Sequence, residues 1–115
     1  MKNNYESILS ENFAVLKVTN EKLDCTISAD IKNALTILIE KGYKNLIMDL
    51  SPVKYCDSSG LSSILVGNRL CKNNGGTFLL TGVNEMVNKV IHISQLNSIL
   101  KITPTIEDAK IYLKN

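Results

Sequence analysis

The stretch Leu46-Ile47-Met48-Asp49-Leu50-Ser51-Pro52-Val53-Lys54-Tyr55-Cys56-Asp57-Ser58-Ser59-Gly60-Leu61 decides how this chain folds. It opens on a nearly continuous apolar run of strand length, preceded by Lys44-Asn45 and ending at Leu50. Such runs suit a central strand covered on both faces. Pro52 closes the run, and a carboxylate followed by two hydroxyls leads into a helical pattern. In open α/β sheets, chemistry and ligands gather beyond the carboxyl ends of strands, beside helix N-termini. Asp57, Ser58 and Ser59 occupy that position.

Working toward the N-terminus, Ile27, Ile31, Ala34, Leu35 and Leu38 recur at helical spacing, with Thr26 or Ser28 as N-cap and Gly42 as stop. Asn20–Asp24 reads as a polar loop. Phe13–Thr19 alternates as a half-buried strand, and Asn12 turns it back on a first strand over Tyr5–Glu11, whose apolar content is Ile8 and Leu9. Toward the C-terminus, the helix after Asp57 ends at Asn73-Asn74-Gly75-Gly76, and Thr77–Thr81 is another buried strand. A helix from the cap Asn84 to Ser94 follows, then a short strand over Ile99–Ile102. Thr105-Ile106-Glu107-Asp108 has the form of a capping box, opening a helix with Ile106, Ala109 and Leu113 as its buried stripe. The order β-β-α-β-α-β-α-β-α predicts one α/β domain over residues 1–115. Its sheet is mixed but mostly parallel, with an N-terminal hairpin and four flanking helices.

Composition agrees. The 115 residues are 44% hydrophobic and 21% charged, the profile of one compact domain. No apolar run approaches the ~20 residues of a membrane span. The net charge of +2 is spread without a basic block, and four Tyr, two Phe and no Trp offer little for stacking, so nucleic acid is not an expected partner. The N-terminus shows no secretory h-region, and three cysteines without a CxxC pair fit a reducing cytoplasm. His92 is the single histidine, so no metal site is expected. No GxGxxG or GxxxxGK[ST] cradle is present, and no cofactor is expected. A Ser58–His92–Asp triad lacks its GxSxG elbow. A receiver-type reading, with Asp49 as phospho-acceptor, lacks the acidic pair that would hold magnesium. No catalytic residue is assigned.

Asp57-Ser58-Ser59-Gly60 admits two readings. It is a helix N-cap, since Asp and Ser oxygens accept from free backbone N–H groups. It is also an exposed hydroxyl pair beside a carboxylate. A helical wheel places Leu61, Ile64, Leu65, Asn68 and Cys71 on the core face, and Ser59, Ser63, Val66 and Leu70 opposite. Aliphatics on the outer face beside a serine cluster have the character of a docking surface.

Asp57-Ser58-Ser59-Gly60-Leu61 behind the strand ending Met48-Asp49-Leu50-Ser51 resembles the signature of STAS domains of the anti-sigma-factor antagonist family. Glu21-Lys22-Leu23-Asp24 with Ala29-Asp30-Ile31-Lys32 is similar to the family's loop and first helix, and Gly75–Leu80 to its next strand. Ile93-Ser94-Gln95-Leu96 departs from the family's Thr-Gly-Leu by carrying Gln95 where many members have glycine. The resemblance implies a domain that binds a serine-kinase anti-sigma factor of the GHKL ATPase type, frees a sigma factor and is itself phosphorylated. It implies Ser58 as acceptor, with Ser59 as fallback and Asp57 as acidic neighbour, and a serine phosphatase to reset the switch. The implied partner surface is Asp24, Ser58, Ser59, Ser62, Ser63, Val66 and Leu70. The protein would be a monomer or weak dimer. The alternative is a STAS scaffold that is never phosphorylated, or a ligand-binding or transporter-associated subunit.

Overall fold

The computed structural model describes residues 3–114. Its elements are β1 (Tyr5–Leu9), β2 (Ala14–Val18), β3 (Lys22–Leu23), α1 (Ser28–Glu40), β4 (Leu46–Asp49), β5 (Tyr55–Cys56), α2 (Ser58–Asn73), β6 (Phe78–Thr81), α3 (Glu85–Ile93), a 3-10 turn (Leu96–Ser98), β7 (Lys101–Thr103) and α4 (Ile106–Lys114). Five strands form one sheet in the order β1-β2-β4-β6-β7, antiparallel between β1 and β2 and parallel elsewhere. This is the expected mixed α/β architecture, with β4 at its centre.

The period-two alternation of the strands divides the core. Ala14, Leu16, Val18, Leu46, Met48, Leu50, Phe78 and Leu80 face α1, α2 and α3. Val15, Ile47 and Leu79 face the other way, where α4 supplies Ala109 with Ile106 and Leu113 half-buried beside it. Each fully buried aliphatic of this kind contributes about 1.5–3 kcal/mol relative to exposure. The three-helix face therefore carries most of the stabilisation.

The boundaries shift for local reasons. β1 stops at Leu9 because the Ser10 N–H already closes the hairpin on the Phe13 carbonyl at 2.9 Å. Neither Thr26 nor Ser28 caps α1: Ile27 holds that position, and the preceding turn is organised by Asp24. The last strand slides to Lys101 because Leu96–Ser98 coils into a 3-10 turn, with the Leu100 N–H donating to the Leu96 carbonyl at 3.0 Å.

The Asn20–Asp24 segment, read as a loop, contains β3. This two-residue strand pairs in parallel with β5, Lys22 beside Tyr55 and Leu23 beside Cys56. A two-residue strand has no periodicity to read, and its pairing partner lies over thirty positions away. The small second sheet is what positions the start of α2.

Candidate functional site: the exposed start of α2

Asp57 is the N-cap of α2. Its backbone is extended, and its Oδ1 accepts from the Gly60 N–H at 2.9 Å. The Leu61 N–H donates to the Asp57 carbonyl at 3.0 Å, and the Asp57 N–H donates to the Leu23 carbonyl at 3.3 Å. The cap therefore belongs to Asp57, and Ser58 is the first helical residue, exposed to solvent. Among the described residues, the Ser58 hydroxyl has no hydrogen-bond partner. Ser59 is half-buried. The two readings of Asp-Ser-Ser-Gly separate: the carboxylate does the capping and the first hydroxyl is left free.

Gly60 decides how close this corner sits to β3. A Cβ there would lie 2.1 Å from the Leu23 carbonyl oxygen and 2.7 Å from Cys56 Sγ. Only glycine allows the helix to start against the β3 backbone. Asp24, one residue beyond Leu23, opens the turn into α1. Asp24 Oδ1 accepts from the Thr26 hydroxyl and from the Thr26 N–H, the latter at 3.0 Å. The Thr26 hydrogen bonds hold the Asp24 carboxyl below its ordinary value of 3.8. The loop between β3 and α1 thus carries a fixed anion at neutral pH. A polar hollow of about 510 Å³, lined by Thr19, Asn20, Glu21, Lys22, Asp24 and Thr26, lies along this loop.

The outer face of α2 differs from the wheel. Ser63 is completely buried, and its hydroxyl donates to the Gly60 carbonyl at 2.6 Å. It is not part of an exposed surface. The buried face runs through Gly60, Ser63 and Gly67 as well as Leu61, Ile64, Asn68 and Cys71. Small residues let the helix backbone approach the sheet; a Cβ on Gly67 would sit 2.5 Å from the Phe78 ring. A polar side chain that satisfies itself within its own helix turn carries no hydropathy signal of burial, so the wheel sets Ser63 on the wrong face. Leu65, expected in the core, is only half-buried, as are Ser62, Val66 and Leu70. Leu70 leans partly on the core and is not freely accessible.

Tyr55, two residues before Asp57, is half-exposed on β5, a feature the sequence reading missed. Its exposure follows from strand alternation with buried Cys56, and only the β3–β5 pairing makes that alternation visible. The alternative chemistries find no geometry here. His92 is exposed near the end of α3, with Nδ1 2.9 Å from the Asn88 carbonyl of its own helix. Asp49 Oδ1 accepts from the Ser51 N–H at 3.0 Å, packed against Gly82. No helix among the described residues is long and apolar enough to cross a membrane.

A five-stranded mixed sheet with three helices on one face, one on the other and a serine exposed at a helix start defines a small α/β domain. The chain belongs to the STAS domain family, whose model matches residues 5–109. A Thermotoga neapolitana protein provisionally named an anti-sigma factor antagonist is 37% identical over 71 residues, covering 62% of this chain. The match spans 63% of that relative's own length. The crystal structure of a Thermotoga maritima protein described in the same way superposes with a TM-score of 0.86 at 26% identity, covering 96% of this chain and 95% of the other. The Bacillus cell fate determinant SpoIIAA, solved in its phosphorylated form, shares the fold at a TM-score of 0.72 and 18% identity, over 94% of this chain and 98% of that one.

Proposed function

We propose that this domain is an anti-sigma-factor antagonist that docks on a serine-kinase anti-sigma factor of the GHKL ATPase type, frees the sigma factor, and is switched off by phosphorylation at Ser58. The observation that carries this reading is the division of labour at the start of α2. Asp57 holds the helix, so Ser58 is free to be modified without loss of a structural hydrogen bond. The names of the relatives support the class of partner, and a fold neighbour solved in phosphorylated form supports the kind of modification.

The domain acts as substrate and ligand, not as catalyst. The kinase supplies the machinery. The γ-phosphoryl group passes from ATP to the Ser58 oxygen, the bond to the β-phosphate breaks, ADP leaves and the hydroxyl proton departs to the kinase's base. Hydrolysis by a serine phosphatase restores the hydroxyl. The modification adds about −1.5 to −2 charges. The α2 dipole favours this by roughly 0.3–1 kcal/mol at an exposed helix start, so the fold persists. The interface does not, because the dianion joins Asp57 on a surface that must approach the nucleotide phosphates of the kinase. A penalty of ~3 kcal/mol already lowers affinity more than a hundredfold. Ser59, Ser62, Val66 and the exposed part of Leu70 extend the docking surface along α2.

The test is phosphorylation by the cognate kinase with peptide mapping, alongside binding of Ser58→Asp. Phosphate on Ser58, its loss in Ser58→Ala and a hundredfold weaker complex for Ser58→Asp are expected. Phosphate confined to Ser59 moves the site by one residue. A kinase that binds without modifying either serine, or no kinase partner at all, replaces the switch with the non-phosphorylated scaffold or transporter-associated reading.

A further inference from the structure

Among the described residues the outer edge of β1 is unpaired, and its register is defined by two hydrogen bonds at its ends. The Thr19 N–H donates to the Asn4 carbonyl at 3.0 Å, and the Ser10 N–H to the Phe13 carbonyl at 2.9 Å. In an antiparallel ladder, residues alternate between pointing their backbone groups at the partner strand and away from it. Asn4, Glu6, Ile8 and Ser10 therefore bond to β2. Tyr5, Ser7 and Leu9 turn their N–H and C=O groups outward. This edge carries one charge, Glu6, and no proline or lysine, the usual guards against strand pairing. Ile8 and Leu9 are 52% and 50% exposed on opposite faces of the strand. A groove of about 180 Å³ separates β1 from α1, lined by Tyr5, Ser7, Leu9, Ile37, Leu38 and Lys41 among others.

We propose that this edge pairs with β1 of a second copy of the chain, antiparallel about a two-fold axis through Ser7. The residues select this occupant. About that axis Ser7 meets the partner's Ser7 and Tyr5 meets the partner's Leu9, both as hydrogen-bonded pairs formed by the outward groups. Glu6 falls beside the partner's Ile8, so no like charges oppose. The flank of α1 along the groove agrees. Asp30 accepts from the Asn4 side chain at 3.1 Å at one end, and Lys41 lines the groove at the other. The two-fold reverses one copy, which sets Asp30 toward the partner's Lys41 and Lys41 toward the partner's Asp30. An unrelated extended peptide would satisfy the edge amides, but nothing on this chain specifies its side chains. β1 lies at the sheet edge, two strands from β4, so the pairing is independent of the reading of Ser58.

Sedimentation equilibrium from low micromolar to millimolar concentration tests it. The mass is expected to rise from monomer to dimer. Leu9→Lys is expected to stay monomeric, and so is Ser7→Pro, which removes an amide that bonds to nothing among the described residues; circular dichroism establishes that each variant is folded. Asp30→Lys is expected to weaken the dimer about tenfold, because the symmetry repeats the lost pair, and Asp30→Lys combined with Lys41→Asp to restore it. In a Cys25→Ser background, Ser7→Cys is expected to cross-link across the axis, since a hydrogen-bonded pair sets Cα atoms about 5.5 Å apart, within disulfide range. Glu6→Cys faces Ile8 and is expected not to. A monomer at every concentration, or a dimer indifferent to Leu9→Lys and to the charge swap, overturns the proposal.

Discussion

One side chain, Asn84, ties the cap of α3 to the carbonyl of Val53. Its Oδ1 accepts from the Val87 N–H at 2.8 Å while its Nδ2 donates to Val53 O at 2.8 Å. Val53 is buried in the loop that carries the chain from β4 to the Ser58 corner. An amide serves here where a carboxylate would not, because the two contacts need one acceptor and one donor.

Asn84→Asp separates the two roles. Asp keeps the cap and gains up to about 1 kcal/mol from the helix dipole. It turns an oxygen toward the Val53 carbonyl and loses a hydrogen bond whose removal costs about 1–3 kcal/mol. A net loss of about 1–2 kcal/mol is expected in urea unfolding at neutral pH. Because a protonated carboxyl can donate, the loss is expected to shrink as pH falls below about 4.

Gly60→Ala is expected to cost about 3 kcal/mol or more, since the new Cβ meets backbone rather than a yielding side chain. Gly75→Ala is the control. Gly75 has φ of 74° and open space around it, so only backbone strain of about 1–2 kcal/mol is expected. Thermal melts of the two variants distinguish close approach from dihedral strain.

Gln95 takes up a left-handed conformation with φ of 62°, the one non-glycine among the described residues with positive φ. The position where family members carry glycine thus keeps its turn geometry and accepts the strain. Gln95→Gly is expected to stabilise the fold by about 0.5–1 kcal/mol, the relief of the left-handed penalty less the added freedom of the unfolded chain. A lower melting temperature would mean that the Gln95 side chain contributes more than its backbone costs.

Burial pushes the Cys56 and Cys71 thiols from the ordinary 9.0 up to about 12, with the Asp57 charge adding to the shift at Cys56. Cys25 is exposed. Alkylation of the native protein at mildly alkaline pH is expected to label Cys25 alone, with Cys56 and Cys71 following only on unfolding. The sign of the pH effect is set by the unfolded chain, which loses these protons first. Stability is therefore expected to be unaffected by these groups below about pH 9 and to fall between about 9 and 12. Replacing both buried thiols by alanine is expected to flatten that decline, read from urea midpoints across the range.

Much of this protein was legible in its residues because the relevant signals are local. The apolar run through Met48, by its strand length, and the stripe Ile31-Ala34-Leu35-Leu38, by its period, each point to the element observed. Phe13–Thr19, expected as a half-buried strand, is instead covered on both faces, since Ala14, Val15, Leu16 and Val18 are all buried between α4 and the three-helix face. The caps at Asn84 and Thr105 announce themselves by side-chain type, and both are observed. The exposed Ser58 corner was recognisable for the same reason. What only the tertiary structure decided are relations between distant segments. The pairing of Lys22-Leu23 with Tyr55-Cys56 has too few residues to show a period, so nothing local reveals that the Leu23 backbone meets the start of α2. Asp57 rather than Ser58 holds the cap, a choice between neighbours of equal capping propensity that the contact of Gly60 with Leu23 settles. Ser63 is buried because Gly60 and Gly67 let α2 approach the sheet and because its hydroxyl bonds within its own turn. Hydropathy counts the side chain's polarity, whereas burial follows the distance between backbones.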